Sequence, residues 1–320
     1  MAATGATHLL PRTTSEWVSL VRRALHLRLD ELEIPEHFFV KDIRTGRRYS
    51  HLRNPMRTPH QREGATLVLL SPSSRLTGEG FQDMCITLTK RTANVRCHKN
   101  QMSFPGGKMN HGESPVAAAQ REAMEEVGID ASLYHVIGPL HPIYSLDSGY
   151  KVFPVVAVAT TAVEPLCNSP DEVASIHYLH LSRLLLDSAR VHCRIIRWHA
   201  LTRAAPAHFP CFFASNSQAV ACGDVRPTLN ASPIPEDGGL LPMLQEDFPG
   251  ELVWGITSFA TCEFLLRLAA VLALRNHSEL QAMDLLRCSS VVARLPEGCK
   301  GEKRLFDQKK NREIMREVGK

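Results

Sequence analysis

Residues 121 to 128 read REAMEEVG and set three carboxylates, Glu122, Glu125 and Glu126, beside one arginine, Arg121. On a helix turning about 100° per residue, 122 and 125 are i,i+3 neighbours and 122 and 126 are i,i+4 neighbours, so the acids crowd one arc. Each like-charge pair costs roughly 0.2–0.5 kcal/mol, and Arg121 offsets part of this through its i,i+4 relation to Glu125. Runs of charge usually end as a solvated face. Here a Gly-rich stretch, SFPGGK at 103 to 108, stands close by. Oxygen ligands converging from one helix face beside a tight turn suit a hard cation such as Mg²⁺ or Mn²⁺, which removes the repulsion and can then grip a phosphate.

The elements that position these residues can be read around them. Ser114 caps a helix over 115–127, Pro115 takes its first position and Gly128 ends it. Val116, Ala119, Ala123 and Val127 fall on one arc and make the buried stripe, with the three glutamates on the neighbouring arc. Strand-like runs occur at 65–70, 85–90, 151–160, 174–181 and 193–200, and a buried helix at 257–274. Their order argues for a mixed α/β domain rather than a regularly alternating parallel sheet.

From Gly107 onward the chain reads G-x5-E-x7-R-E-A-x-E-E-x-G-I, through Gly107, Glu113, Arg121, Glu122, Ala123, Glu125, Glu126, Gly128 and Ile129. This resembles the Nudix box at every defined position. The resemblance implies an α/β/α sandwich with a mixed sheet, and metal-dependent hydrolysis of a nucleoside diphosphate linked to another moiety. It assigns Glu122, Glu125 and Glu126 to metal, with Glu122 also placed to activate water. Arg121 orients the carboxylates, Gly107 offers a backbone carbonyl to the metal, and Glu113 fixes the loop against the helix.

Upstream, LTKRTANVRCHKNQMSFPGG at 88 to 107 is similar to the stretch that precedes the box in coenzyme A diphosphatases. Thr89, Arg91, Arg96, Phe104, Pro105, Gly106 and Gly107 match it, and Asn100 stands where that family has glycine. The resemblance implies CoA or acyl-CoA as substrate, with Arg91, Arg96, Phe104 and Gly106 in contact with it. Guanidinium groups bind phosphate oxygens in bidentate fashion, which suits the two arginines to that task. The aromatic HFPCFF stretch at 208–213 is placed to line a groove for the pantetheine arm. Glu172, in PDEV, is a candidate for a carboxylate recruited from outside the box. Other Nudix substrates, namely ADP-ribose, a dinucleotide or an RNA cap, are the alternative, and a catalytically silent binding module is a third reading.

At 320 residues, 44% hydrophobic and 22% charged, with a formal net charge of +4, the composition is that of a soluble globular protein. Nine scattered cysteines form no C-x-x-C pair and do not space like a structural zinc site. The apolar run at 264–274 is too short to span a bilayer and carries Arg267. Basic residues cluster only in the tail beyond 299, so no nucleic-acid surface is evident. The sequence divides into an N-terminal extension (1–63), a Nudix domain (64–285) with a long excursion near 201–250, and a charged tail (286–320). Residues 1–29 hold four arginines and one acid, which reads as a mitochondrial transit peptide. Thr13 and Glu16 equally match a capping box ahead of an amphipathic helix carrying Trp17, Leu20, Val21, Ala24 and Leu25, which would leave the protein cytoplasmic.

Overall fold

The computed structural model describes residues 10–42, 45–50, 52, 62–72, 83–95, 98–145, 149–185, 193–198, 206–221, 251–275 and 291–294. Their centre is a pair of long strands, β3 (Arg62–Pro72) and β9 (Tyr150–Ala159), which run parallel with Leu67 opposite Val155 and Leu69 opposite Ala157. Outward from β9 lies β7 (Tyr134–Pro139), antiparallel. On the other side β4 (Met84–Arg91), β10 (Val173–His180) and β12 (Pro206–Ala221) follow in antiparallel succession. β11 (Cys193–Trp198) and β14 (Val291–Arg294) complete that edge as a parallel pair. Short strands attach to this path: β1 (Val40–Asp42) with β2 (Arg48–Tyr49), β5 (Met102–Ser103), β6 (Gly106–Lys108), β8 (Ile143–Tyr144) and β13 (Glu251–Val253).

Strand alternation divides the interior into two cores. From β3, Val68 and Leu70 face one side, while Ala65, Leu67 and Leu69 face the other. The first side is covered by α1 (Thr14–His26) and α4 (Ile256–Arg275), the second by α2 (Pro115–Val127). The architecture is the α/β/α sandwich expected from the sequence. A short helix, α3 (Leu181–Leu185), follows β10 directly.

α1 is capped by Thr13, whose hydroxyl accepts from the Glu16 amide at 3.2 Å, while the Glu16 carboxylate takes the Arg12 amide at 2.7 Å. Trp17, Leu20, Val21 and Ala24 are buried against α4 and the sheet, so this helix is part of the core. α4 carries Arg267, 3% exposed, across to the end of α1, where its Nη1 donates to the carbonyls of Ala24, Leu25 and Leu27 at 3.2, 3.3 and 2.5 Å. The Ala24 carbonyl also accepts from the Leu27 amide at 3.2 Å, so the guanidinium adds to the backbone closure of the helix end. The charge of Arg267 is met by the buried Glu263, 2.9 Å away, which also accepts from the His141 amide.

Two sequence expectations need correction. Helix α4 is longer than the apolar run at 264–274: nineteen of its residues have a mean hydropathy of 1.6, enough by length and composition to cross a membrane. Its burial, 83% within this fold, accounts for its apolar character instead. Likewise 206–221 is not loop but strand β12, and Phe209 and Phe212 are buried in it. Phe209, Cys211 and Phe212 of the HFPCFF stretch therefore supply core rather than the lining of an open groove. Residues 222–250 and the tail beyond 294 lie outside the described residues.

Candidate active site

Helix α2 begins and ends as its sequence dictates. The Ser114 hydroxyl accepts from the Ala117 amide at 3.1 Å, Pro115 occupies the first turn, and Gly128 closes the helix in the left-handed region at φ 64°. Ala118, Ala119, Ala123 and Val127 are buried, and Val116 packs at the margin. Alanine at the contact lets the helix sit close to β3, and this brings its carboxylate face up to the Gly106–Gly107 turn.

Arg121 is the centre of that face. Its Nε and Nη2 grip the two Glu113 oxygens at 2.9 and 3.0 Å, and Nη2 also reaches the Lys108 carbonyl at 3.0 Å. Nη1 is shared between Glu122 at 2.9 Å and Glu125 at 3.1 Å. Glu113 in turn accepts the Asn110 amide at 2.8 Å. One guanidinium thus ties the 106–113 loop to the helix and orients two carboxylates. The hydrogen bond from Arg121, then that from Asn110, holds the Glu113 carboxyl below its usual range.

Glu126 behaves differently. It is 4% exposed, accepts the Gly106 amide at 3.2 Å, and burial pushes its pKa up to about 8 despite that bond and the nearby charge of Arg91. Burial also raises Glu122, with Arg121 opposing it and the charges of Glu125 and Glu172 adding to it. Glu125 stays 56% exposed. The sequence placed all three glutamates on one arc, and the structure grades them from solvent to interior. Position 126 is close enough to the buried stripe to be drawn under it.

The glycines make the close approach possible. A Cβ on Gly107 would stand 2.6 Å from the Glu122 carboxyl atoms, and one on Gly106 would stand 2.4 Å from the Ala65 carbonyl oxygen. Gly106 has a φ of 154°, so its backbone is also one that side chains rarely adopt. Its amide is committed to Glu126, so Gly106 positions a carboxylate, whereas the sequence reading gave it a substrate contact. Phe104, also expected at the substrate, is 2% exposed in the core on the α4 side and supports the turn from beneath.

Arg91 ends β4 with its backbone amide on the Gln101 carbonyl at 3.0 Å, and its Nε is buried without a hydrogen-bond partner among the described residues. Asn100 adopts φ 55°, the left-handed conformation that a glycine would take there. Arg96 lies outside the described residues.

Glu172 is brought to the box, as its effect on both Glu122 and Glu126 shows. The loop that carries it has contacts that sequence reasoning missed. Asn168 Nδ2 donates to the Met124 carbonyl at 3.0 Å, Ser169 Oγ to the Glu125 carbonyl at 2.9 Å, and the Asn168 amide to the Glu126 carbonyl at 3.0 Å. Thr92 holds the same loop from the sheet, its hydroxyl on the Asp171 carbonyl at 2.7 Å and its amide on that of Glu172 at 2.8 Å. The Asn-Ser-Pro-Asp sequence at 168–171 was a turn signal that could have marked the loop.

When ionised, these carboxylates outnumber the guanidiniums of Arg121 and Arg91 beside them, and burial disfavours the charge of Glu122 and Glu126. A divalent cation fits such a set, since it supplies the missing charge through oxygen ligands alone. Glu122, Glu125, Glu126 and Glu172 are the donors present.

Comparison with known proteins agrees with this geometry. Residues 65–199 match the family model of the NUDIX domain. Over 101 residues the chain is 40% identical to an uncharacterized Nudix hydrolase NudL of Yersinia pestis (strain Pestoides F), and to its counterpart in Yersinia pseudotuberculosis serotype O:1b (strain IP 31758). That stretch is 31% of this chain and 50% of each relative, so the chain spans about half the length of the curated relatives it matches. Among solved structures, a MutT/nudix family protein from Enterococcus faecalis is 15% identical with a TM-score of 0.36, covering 86% of this chain and 80% of that one. The Nudix hydrolase RenU from M. smegmatis is 21% identical with a TM-score of 0.31, covering 46% and 81%. The segment that matches the NUDIX domain model, residues 65–199, is the one that holds every carboxylate of the site.

Proposed function

We propose that the chain is a divalent-metal-dependent diphosphatase that hydrolyses CoA or acyl-CoA to 3′,5′-ADP and (acyl-)4′-phosphopantetheine. The observation that carries this reading is Arg91: a guanidinium at the end of β4, its Nε buried and without a partner among the described residues, close enough to influence the Glu126 carboxylate. A buried donor with no acceptor among the described residues is suited to an oxygen of the substrate, and phosphate is what a guanidinium binds best. The likeness of residues 88–107 to the coenzyme A diphosphatase signature supports the same choice, and the left-handed Asn100 accommodates the one departure from it.

Mg²⁺ or Mn²⁺ bound by Glu122, Glu125 and Glu126, with Glu172 as a further donor, would neutralise charge on the pyrophosphate and lower the pKa of a water. The protein's own residues do the rest. Arg121 holds Glu122 in place. Glu122 then takes the proton as a water oxygen forms its bond to phosphorus, and the bond from that phosphorus to the bridging oxygen breaks, leaving two phosphate monoesters. Gly106 keeps Glu126 turned inward. Arg91 receives the phosphate that the substrate presents beside this centre.

The test is a product assay across CoA, dephospho-CoA, NADH, ADP-ribose and capped RNA. CoA should be preferred, and Arg91→Ala should raise KM for CoA more than for dephospho-CoA. Loss of a charge-assisted contact of about 1.5–3 kcal/mol corresponds to tenfold or more. Much faster cleavage of ADP-ribose or a cap would replace this reading with another nucleoside diphosphate derivative.

A mitochondrial location belongs to the same proposal, on the ground of the arginine-rich, acid-poor start. Because α1 contributes Trp17 and Leu20 to the core, import would have to leave that helix on the chain. Imaging of the protein with a free N-terminus, alongside N-terminal sequencing of the mature form, decides it; a purely cytosolic signal removes the proposal.

A further inference from the structure

A second cluster of chemically capable side chains lies away from the carboxylate helix. Asp83, Cys85 and His180 are all buried, at 5, 1 and 6% exposure, and offer ligand atoms within 4.8 Å of one another. Cys85 and His180 are direct partners across the β4–β10 ladder, and Asp83 immediately precedes β4. Along β4, Cys85 and Arg91 are six residues apart, about 20 Å at strand spacing, so this cluster is separate from the pyrophosphate site.

Its internal geometry is unusual for a simple hydrogen-bonded pair. His180 Nδ1 stands 2.9 Å from Asp83 Oδ2 and also 3.3 Å from Cys85 Sγ. One ring nitrogen carries either one hydrogen or one lone pair, so it cannot serve both groups at full strength. Asp83 has its other oxygen held by Ser182 Oγ at 2.7 Å, which turns Oδ2 towards the imidazole and the thiol. Three donors from a carboxylate, an imidazole and a sulfur thus converge on one point.

We propose that Asp83, Cys85 and His180 bind a zinc ion, with a water molecule completing a tetrahedron. Thiolate and imidazole together select zinc over the hard cations suited to the glutamates of α2. In tetrahedral coordination, N and O donors lie roughly 3.4 Å apart and N and S donors roughly 3.6 Å apart, from bond lengths of about 2.0–2.3 Å. The observed separations need to open by only a few tenths of an ångström. On binding, the Cys85 thiol loses its proton to solvent as the zinc–sulfur bond forms, and His180 ligates as neutral imidazole through Nδ1 with the ring proton on Nε2. That Nε2 has no hydrogen-bond partner among the described residues. Without the ion the Asp83 carboxylate favours a proton on Nδ1, so binding must shift that proton to Nε2, and the absence of a supporting acceptor at Nε2 lowers affinity roughly 10–100-fold relative to a fully supported site. The ion would tie β4, β10 and, through Ser182, the first turn of α3 together.

Cobalt substitution tests this on the full chain after chelator treatment. Co²⁺ should give a near-ultraviolet thiolate-to-cobalt charge-transfer band that saturates at one equivalent. The band should disappear in Cys85→Ser and persist in Glu126→Gln, since oxygen ligands alone produce none. No band in the wild-type chain, or an undiminished band in Cys85→Ser, overturns the proposal. Zinc-edge anomalous scattering from crystals of the unsubstituted chain grown with Zn²⁺ is independent of whether Cys85→Ser folds. A peak between the three side chains is expected, and its absence overturns the site.

Discussion

Glu126 and Gly107 show how single residues set this site. Glu126→Gln keeps the shape and the bond from the Gly106 amide but removes a charge that a cation requires. Turnover should fall by two orders of magnitude or more with the fold intact, as read by circular dichroism and steady-state rates. Gly107→Ala should act on geometry alone. Its new Cβ would meet the Glu122 carboxyl, which must swing off Arg121 to make room. A displacement of about 1 Å at a reacting group costs on the order of 100-fold, so kcat should drop while KM for the substrate changes little. Much at this scale was legible in the sequence. Ser114, Pro115 and Gly128 announce the helix by their own chemistry, and REAMEEVG announces the carboxylates. The depth of Glu126 was not, because it depends on how close two alanines let the helix approach β3. Nor was the convergence of Asp83, Cys85 and His180, since strand pairing alone closes a gap of ninety-five residues between Cys85 and His180.

At the scale of elements, α1 is the segment whose role the sequence left open between address and structure. Trp17 is fully buried against α4 and the sheet. Trp17→Ala should cost roughly 3–5 kcal/mol, measured by denaturant unfolding. Because α1 covers the face of the sheet opposite α2, the folded variant should keep its wild-type kcat. The long strands β3, β4, β9 and β10 were readable from their apolar runs. β12 was not: Pro210, Asn216 and Ser217 look like loop residues, and their strand conformation comes from pairing with β1, β10, β11 and β13.

For the whole molecule, the buried carboxylates link stability to pH and to metal. The Glu126 carboxyl has a pKa of about 8 when folded, above its value of about 4.3 in an unfolded chain. Between those values the folded state binds more protons than the unfolded one, so stability is lost as pH rises through the window. In EDTA, the melting temperature should fall from pH 5 to pH 8, and Glu126→Gln should flatten the slope. Mg²⁺ at one hundred times its dissociation constant should add about 2.7 kcal/mol of stability at pH 8. A melting temperature in EDTA that stays level across that range would contradict the raised pKa of the buried Glu126 carboxyl.

The guanidinium of Arg267 closes the end of α1 from a position more than 240 residues later in the chain. During synthesis at about 5–20 residues per second, the first helix therefore leaves the ribosome roughly 10–50 s before its partner exists. Through that interval it presents an arginine-bearing amphipathic face with Trp17 and Leu20 uncovered, open to any factor that reads such helices, and docking of α4 then withdraws it.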